Sequence, residues 1–143
     1  MSLAMSDEER QAFLAGVHVG VISIERRDGP PLTVPIWYAY EPGGLVSVIT
    51  GADSVKGKLL TAARRFSLCA QTEEPPFYKY VSVEGPIVDV APADVEADQR
   101  PMAHRYFGAE LGDLYVASSN DHESLKFSMR PGRWWTVDYS KLA

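Results

Sequence analysis

Apolar and polar positions change period several times along this chain. Ser6-Asp7-Glu8-Glu9 reads as a capping box, with a hydroxyl at the N-cap and a carboxylate at N3. The helix it opens runs to about Ala15, and Gly16 suits the position just past its end. The period then falls to two. Val17 to Ile24 predicts a strand, with Val19, Val21 and Ser23 on one face and His18, Gly20, Ile22 and Ile24 on the other. Arg26-Arg27-Asp28-Gly29 is a hairpin signal. Leu32 to Tyr40 predicts a second strand and Leu45 to Thr50 a third, paired as a hairpin across the turn Glu41-Pro42-Gly43-Gly44. Ser54 to Ala63 predicts a short helix, with Val55, Leu59 and Leu60 apolar.

Phe66 to Thr72 is the fourth expected strand, and Glu73-Glu74-Pro75-Pro76 breaks it. Tyr78 to Val90 reads as a long fifth strand, bent or bulged at Gly85-Pro86. A second main helix should start at Pro92-Ala93-Asp94 and reach about Tyr106, followed by a short helix and loop over 108–120. Ser124 to Met129 and Arg133 to Tyr139 complete the strands, joined across Arg130-Pro131-Gly132. Six or seven short strands with a few helices predict a mainly β domain, an antiparallel β-barrel with helices plugging its ends. Met1 to Ala4 looks like a cloning remnant, with a disordered start over 1–5 and a single domain over 6–143.

Composition narrows the chemistry. The 143 residues suit one domain, and 45% apolar with 23% charged residues is ordinary globular usage. A net charge of −5 disfavours a nucleic-acid surface, and no apolar run is long enough for a membrane span. One cysteine, Cys69, excludes an internal disulfide and multi-cysteine metal sites. With no signal peptide recognised, a cytoplasmic location is expected. Cys69 lies in an expected core strand and reads as a small buried hydrophobe. His18, His104 and His122 lie far apart without ligand spacing. No Rossmann glycine fingerprint or nucleophile elbow is present. Gly51 to Lys58 fails as a phosphate loop, having one residue too many between its glycines and Leu59 where Ser or Thr is needed.

Two stretches carry candidate chemistry. At Thr50 to Lys58 a strand gives way to a helix, whose first-turn N–H groups suit a phosphate. Thr50 and Ser54 add hydroxyls there, and Lys56 and Lys58 add two ammonium groups. The plainer reading makes Ser54 an N-cap and both lysines solvated. Gly57 is either a close approach of backbone to a ligand or a frayed helix end. In Pro35-Ile36-Trp37-Tyr38, proline interrupts the ladder and could turn backbone groups toward a flat ring walled by the aromatics. The plainer reading is an aromatic core strand. Trp134 and Trp135 must point to opposite faces, one into the barrel and one toward a pocket or partner.

Taken in order, Pro-Ile-Trp-Tyr, the Glu-Pro-Gly-Gly turn, the strand ending at Thr50, Ala-Asp-Ser-Val-Lys-Gly-Lys, Tyr80 to Gly85 and the Arg130-Pro131…Trp134 hairpin resemble the split β-barrel flavin and deazaflavin oxidoreductases. This is the pyridoxamine-phosphate-oxidase-like superfamily, and the pattern is most similar to its branch using the deazaflavin coenzyme F-420. The resemblance implies a homodimer acting on a small organic substrate. It places the cofactor phosphate at Thr50, Ser54, Lys56 and Lys58, the ring along Pro35, Ile36 and Trp37, and closure of the pocket by Tyr78 and Trp134. Val55 stands where the pyridoxamine-phosphate oxidases carry Arg, which sets that activity aside. The reaction implied is hydride transfer, with the protein anchoring, aligning and excluding water. Tyr38, Tyr78 and Tyr80 are candidate proton donors, and Arg64, Arg65 and Lys79 are candidate partners for a longer acidic tail. An FMN enzyme on the same scaffold, or a non-catalytic carrier of one of these cofactors or of haem, is the alternative.

Overall fold

The computed structural model describes residues 2–119 and 123–143. Helix α1 (Asp7–Ala15) is capped as its sequence predicts. Ser6 Oγ accepts from the Glu9 N–H at 3.1 Å, and Glu9 Oε1 accepts from the Ser6 N–H at 2.8 Å. The segment before it is packed rather than loose: Met5 is buried, and the Leu3 carbonyl accepts from the Asp138 N–H at 2.8 Å.

Strands β1 (Gly20–Ile24) and β2 (Leu32–Ile36) form the antiparallel hairpin that Arg26 to Gly29 signals. Gly20, Ile22 and Ile24 face inward. β2 ends at Ile36, four residues before its expected end. The expected hairpin between the second and third strands shrinks to one bridge, Ala39 with Ser47. β3 (Val46–Gly51) instead pairs along its whole length with β6 (Ser124–Met129). Helix α2 (Val55–Ala63) leads to β4 (Arg65–Gln71), which pairs with both β1 and β5 (Lys79–Pro92). The sheet order is β2-β1-β4-β5-β6-β3, with β7 (Arg133–Asp138) also on β5.

β6 and β7 do not form a hairpin with each other. β7 pairs with the first half of β5, from Lys79 to Glu84, and β6 with the second half, from Ile87 to Pro92. They are one strand interrupted at 130–132, running antiparallel to β5 along a single edge. Gly85 makes this crossing close: a Cβ there would overlap the Arg130 carbonyl oxygen. The crossing is pinned by the Arg130 N–H on the Pro86 carbonyl and the Gly132 N–H on the Glu84 carbonyl, both at 2.9 Å. The bend expected at Gly85-Pro86 thus carries β5 from one half of the barrel into the other. Among the described residues only the Ala39–Ser47 bridge joins the two ends, so the barrel is split.

Ile22, Ile24, Val46, Val48, Leu68, Val81, Val83, Phe127 and Met129 fill the interior, and Leu60 of α2 is buried with them. Side chains on a strand alternate faces, so Phe66, Leu68 and Ala70 point inward while Ser67 and Cys69 point outward. Cys69 is therefore half-buried on the outer sheet face, not a core residue, and burial pushes its thiol pKa up. Trp134 packs on the core beneath the Arg10 guanidinium, which lies 4.6 Å from the ring centroid, while Trp135 on the opposite face is 49% exposed.

After β5, Asp94 caps a π-helical turn (Val95–Gln99) that runs into α3 (Arg100–Phe107), and Gly108 with φ of 81° joins α3 to α4 (Ala109–Ser118). The second helix of the sequence pattern is thus two pieces of different pitch, and the short helix expected after it is α4, ten residues long.

Candidate functional site

The corner between β3 and α2 is built on hydroxyl bonding. Ser54 Oγ donates to the Gly51 carbonyl at 2.7 Å, accepts from the Gly57 N–H at 3.0 Å, and lies 3.1 Å from Thr50 Oγ1. Its proton and lone pairs are therefore all engaged, as an N-cap requires. Gly57 is buried, and a Cβ on it would overlap the Gly51 carbonyl oxygen. It permits backbone to pack on backbone, so neither ligand approach nor a frayed end accounts for it. The first-turn N–H groups of Val55 and Lys56 have no helical acceptor. Lys56 is half-buried and Lys58 exposed.

Trp37 leaves β2 and enters an aromatic cluster on the α3–α4 pair. Its ring stacks nearly parallel on Tyr106, at 5.0 Å and 5°, meets Phe107 edge-on at 5.0 Å, and contacts Tyr115 at 5.3 Å. Tyr106 is itself locked. Its hydroxyl donates to the His18 carbonyl at 2.7 Å, with the Tyr38 carbonyl at 3.1 Å, and accepts from the Tyr38 N–H at 3.1 Å. Arg105 beside it donates to the Gly16 carbonyl at 2.7 Å, tying α3 to the end of α1.

Between these two constructions lies a cavity of about 710 Å³, within the ordinary range for a small-molecule site. Trp37, Ile49, Met102 and Tyr115 supply its apolar wall. Gly51, Asp53, Ser54, Gln99, Ser118, Ser119, Glu123 and Ser124 supply the rest. Among the described residues no lysine or arginine lines it. Lys126, next to Glu123 and Ser124 on β6, is drawn onto Asp98 at 3.0 Å. Burial works against the Asp98 carboxylate, but the Asp94 N–H and Lys126 hold its pKa below the usual range.

Of the sequence candidates, Trp37 and Ser54 line the cavity, and Thr50 is buried directly behind Ser54. Lys56 and Lys58 stand on the same helix turn but outside the lining. Ile36 points into the core and Pro35 is exposed. Tyr78 is exposed at the start of β5, and Trp134 sits under Arg10 and against Tyr40; neither lines the cavity. Tyr38 is fully buried with its hydroxyl on the Leu14 carbonyl at 2.6 Å, and burial, reinforced by Tyr106, drives its pKa far up. It is a structural group, not a proton donor. Arg65 is held by Glu25 at 2.7 and 3.1 Å, and Lys79 lies 3.9 Å from Asp138. His18 stacks on Phe13 ahead of β1, its pKa lowered by burial, and His104 bonds Asp113 at 2.6 Å; His122 lies outside the described residues. Among the described residues no group of His, Cys, Asp and Glu could hold a metal ion.

Gln99, Met102, Tyr115, Ser118, Ser119 and Glu123 were not foreseen as site residues. The run Tyr106-Phe107 followed by Tyr115 was the available signal, since aromatics on consecutive amphipathic helices need a partner surface.

No family model and no curated protein matches the chain. Solved structures do. A conserved hypothetical protein from Mycobacterium tuberculosis is similar over 98% of this chain and 89% of its own, at 22% identity and a TM-score of 0.74. An F420 reductase is similar over 87% and 94%, at 15% identity and a TM-score of 0.60. An FAD-binding protein from Mycobacterium smegmatis is similar over 97% and 98%, at 14% identity and a TM-score of 0.61. At these identities the likeness establishes the architecture. The fold is the antiparallel β-barrel that the strand pattern predicts, split as the resemblance implies. No described helix is long and apolar enough to cross a membrane.

Proposed function

We propose that the chain is an oxidoreductase that binds a flavin-type cofactor, the deazaflavin F-420 by preference and FMN as the alternative, and acts on a small organic substrate. The observation that carries this reading is convergence. Trp37, from the stretch expected beside a planar ring, and Ser54, from the stretch expected beside a phosphate, line one cavity although they lie in separate elements. The F420 reductase and the FAD-binding protein of like fold are consistent with it.

The residues fit such a group in two parts. The apolar wall of Trp37, Ile49, Met102 and Tyr115 suits a ring system. The free first-turn N–H groups of α2, with Lys56 and Lys58, suit an anionic end. Ser54 and Thr50 serve by shaping that turn, since their hydroxyls are already bonded. The bound group would supply hydride transfer. The chain's task is to hold the ring against a pre-set indole, which the Tyr106 stack and its hydroxyl bonds keep from rotating.

A second copy of the chain is part of the proposal. The outer sheet face presents half-buried Val21, Ser67, Cys69 and Ser82 beside exposed Tyr80 and Trp135. A sheet face carrying two exposed aromatic side chains suits an isologous contact. The test is titration of the purified chain with F-420 and with FMN, followed by ligand fluorescence. Saturable F-420 binding tighter than FMN is expected. Stronger FMN binding moves the assignment to a flavin enzyme, and binding of neither removes it.

A further inference from the structure

The apolar wall leaves one polar side chain of the cavity without a role. Gln99 lines the cavity together with Met102, three residues on, where the π-helical turn passes into α3. Residues at that spacing share a helix face. The Gln99 N–H donates to the Asp94 carbonyl at 3.0 Å, a bond spanning five residues in place of four. The wider turn changes the face on which Gln99 stands relative to the residues before it, and single π turns of this kind recur at functional sites. This one is fastened at its base. Asp94 Oδ2 accepts from the Ala97 N–H at 2.7 Å, and Asp98 Oδ2 accepts from the Asp94 N–H at 2.8 Å. Asp98 Oδ1 accepts from Lys126 Nζ at 3.0 Å, which ties the turn to β6.

Gln99 is half-buried, and among the described residues its carboxamide makes one hydrogen bond, from Nε2 to the Ala93 carbonyl at 3.3 Å, past the usual N–H···O range. A carboxamide has two N–H donors and an oxygen with two lone pairs, so a donor and an acceptor remain side by side in one plane. No other described lining side chain offers that pair. Ser54, Ser118 and Ser119 donate their protons to the Gly51 and Tyr115 carbonyls, and the carboxylates of Asp53 and Glu123 only accept. From this placement we infer that Gln99 reads the edge of a planar heterocycle: its oxygen accepts from a ring N–H while its Nε2 donates to the adjacent ring carbonyl. The ligand class is an uncharged ring with an imide or lactam edge. The apolar wall sets the plane of such a ring, and the carboxamide sets its rotation within that plane. The inference deepens the redox reading and rests on it only in giving this edge to the cofactor ring, since flavin and deazaflavin rings both carry one.

The test is equilibrium dialysis against lumichrome, a planar ring with an imide edge, and against N3-methyllumichrome, in which a methyl group replaces the imide hydrogen. The unaltered chain is expected to bind lumichrome about tenfold more tightly, the order of one hydrogen bond made against one lost. In Gln99→Leu the two are expected to bind within about twofold of each other, with lumichrome weakened and the methyl compound little changed. That pattern separates a lost hydrogen bond from a methyl group that merely fits poorly. Thermal melting checks the fold, and Gln99→Met repeats the test with a flexible side chain of like length. Equal binding of both compounds by the unaltered chain, binding of neither, or a preference that survives in the folded variants overturns the inference. No preference in a chain that F-420 or FMN still saturates overturns this contact and leaves the redox reading standing. A preference that depends on Gln99 in a chain that binds neither cofactor supports the contact and removes the redox reading.

Discussion

Replacing Gly57 with alanine tests whether the β3–α2 corner is set by backbone contact. In an exposed helix interior the change would stabilise by about 1 kcal/mol, through propensity alone. Here the new Cβ would overlap the Gly51 carbonyl oxygen and stand 3.1 Å from the Ala52 carbonyl oxygen. Both atoms belong to backbone, so no side-chain rotation relieves the overlap. The first turn of α2 must move away, loosening the Ser54 bonds to Gly51 and Gly57 at 2.7 and 3.0 Å. Overpacking of this kind costs about 1–3 kcal/mol. Set against the propensity gain and the weakened cap, the net expectation is a loss of about 1–2 kcal/mol. For a chain of this length that lowers Tm by about 2–4 °C per kcal/mol. Calorimetry or a fluorescence melt reads it directly. A Tm equal to or above that of the unaltered chain refutes the reasoning and returns Gly57 to an ordinary helix position.

Four further outcomes follow from other contacts. Tyr106→Phe keeps the stack on Trp37 but strands the Tyr38 N–H, so urea unfolding should show a loss of about 1–3 kcal/mol. The Ser6 N–H, with Lys141 and the Ser6 hydroxyl, holds the Glu9 carboxyl down at about 2, against 4.5 unfolded. A depressed carboxylate contributes its stability above pH 4.5 and loses it as pH falls toward 2, so the urea midpoint should fall across that window, and less in Glu9→Gln. Sedimentation velocity at micromolar concentration should show a dimer, and Trp135→Glu, on the exposed outer face, should shift it to monomer. Gly85→Ala should destabilise more than Gly29→Ala, because a Cβ at Gly85 meets the Arg130 backbone and one at Gly29 meets only the Arg26 side chain.

Local rules made much of the architecture legible. The Ser6 capping box, the Asp28-Gly29 turn and the alternation in Phe66 to Ala70 each act within a few residues, and the structure follows them. Pairing between distant strands was not legible in the same way. β3 and β6 are far apart in sequence, and nothing in Leu45 to Thr50 announces Ser124 to Met129 as its partner. The apparent hairpin across Arg130-Pro131-Gly132 misled for a related reason. A Pro-Gly turn and a strand crossing at Gly85 leave the same local signature, and only the long β5 decides between them. Cys69 shows that strand assignment does not assign a face: one residue of register moves a side chain from core to surface. At the site, Trp37 and Ser54 were visible as residues of unusual type in unusual places. The α3–α4 wall was not, because Gln99, Ser118 and Ser119 become lining residues only through tertiary packing.

The central claim is that the first turn of α2 and the Trp37 wall hold one cofactor between them. The most direct measurement is the F-420 dissociation constant of the Lys56→Ala/Lys58→Ala double variant beside that of the unaltered chain, in the same buffer and salt. Lys58 is exposed, Lys56 is half-buried and neither lines the cavity, so the fold should persist. Loss of two ammonium groups from the first turn of α2 predicts affinity weakened by about tenfold or more, with the difference shrinking as salt rises. Equal affinity in the two proteins would contradict the account and leave Ser54 as a helix cap with two solvated lysines beside it.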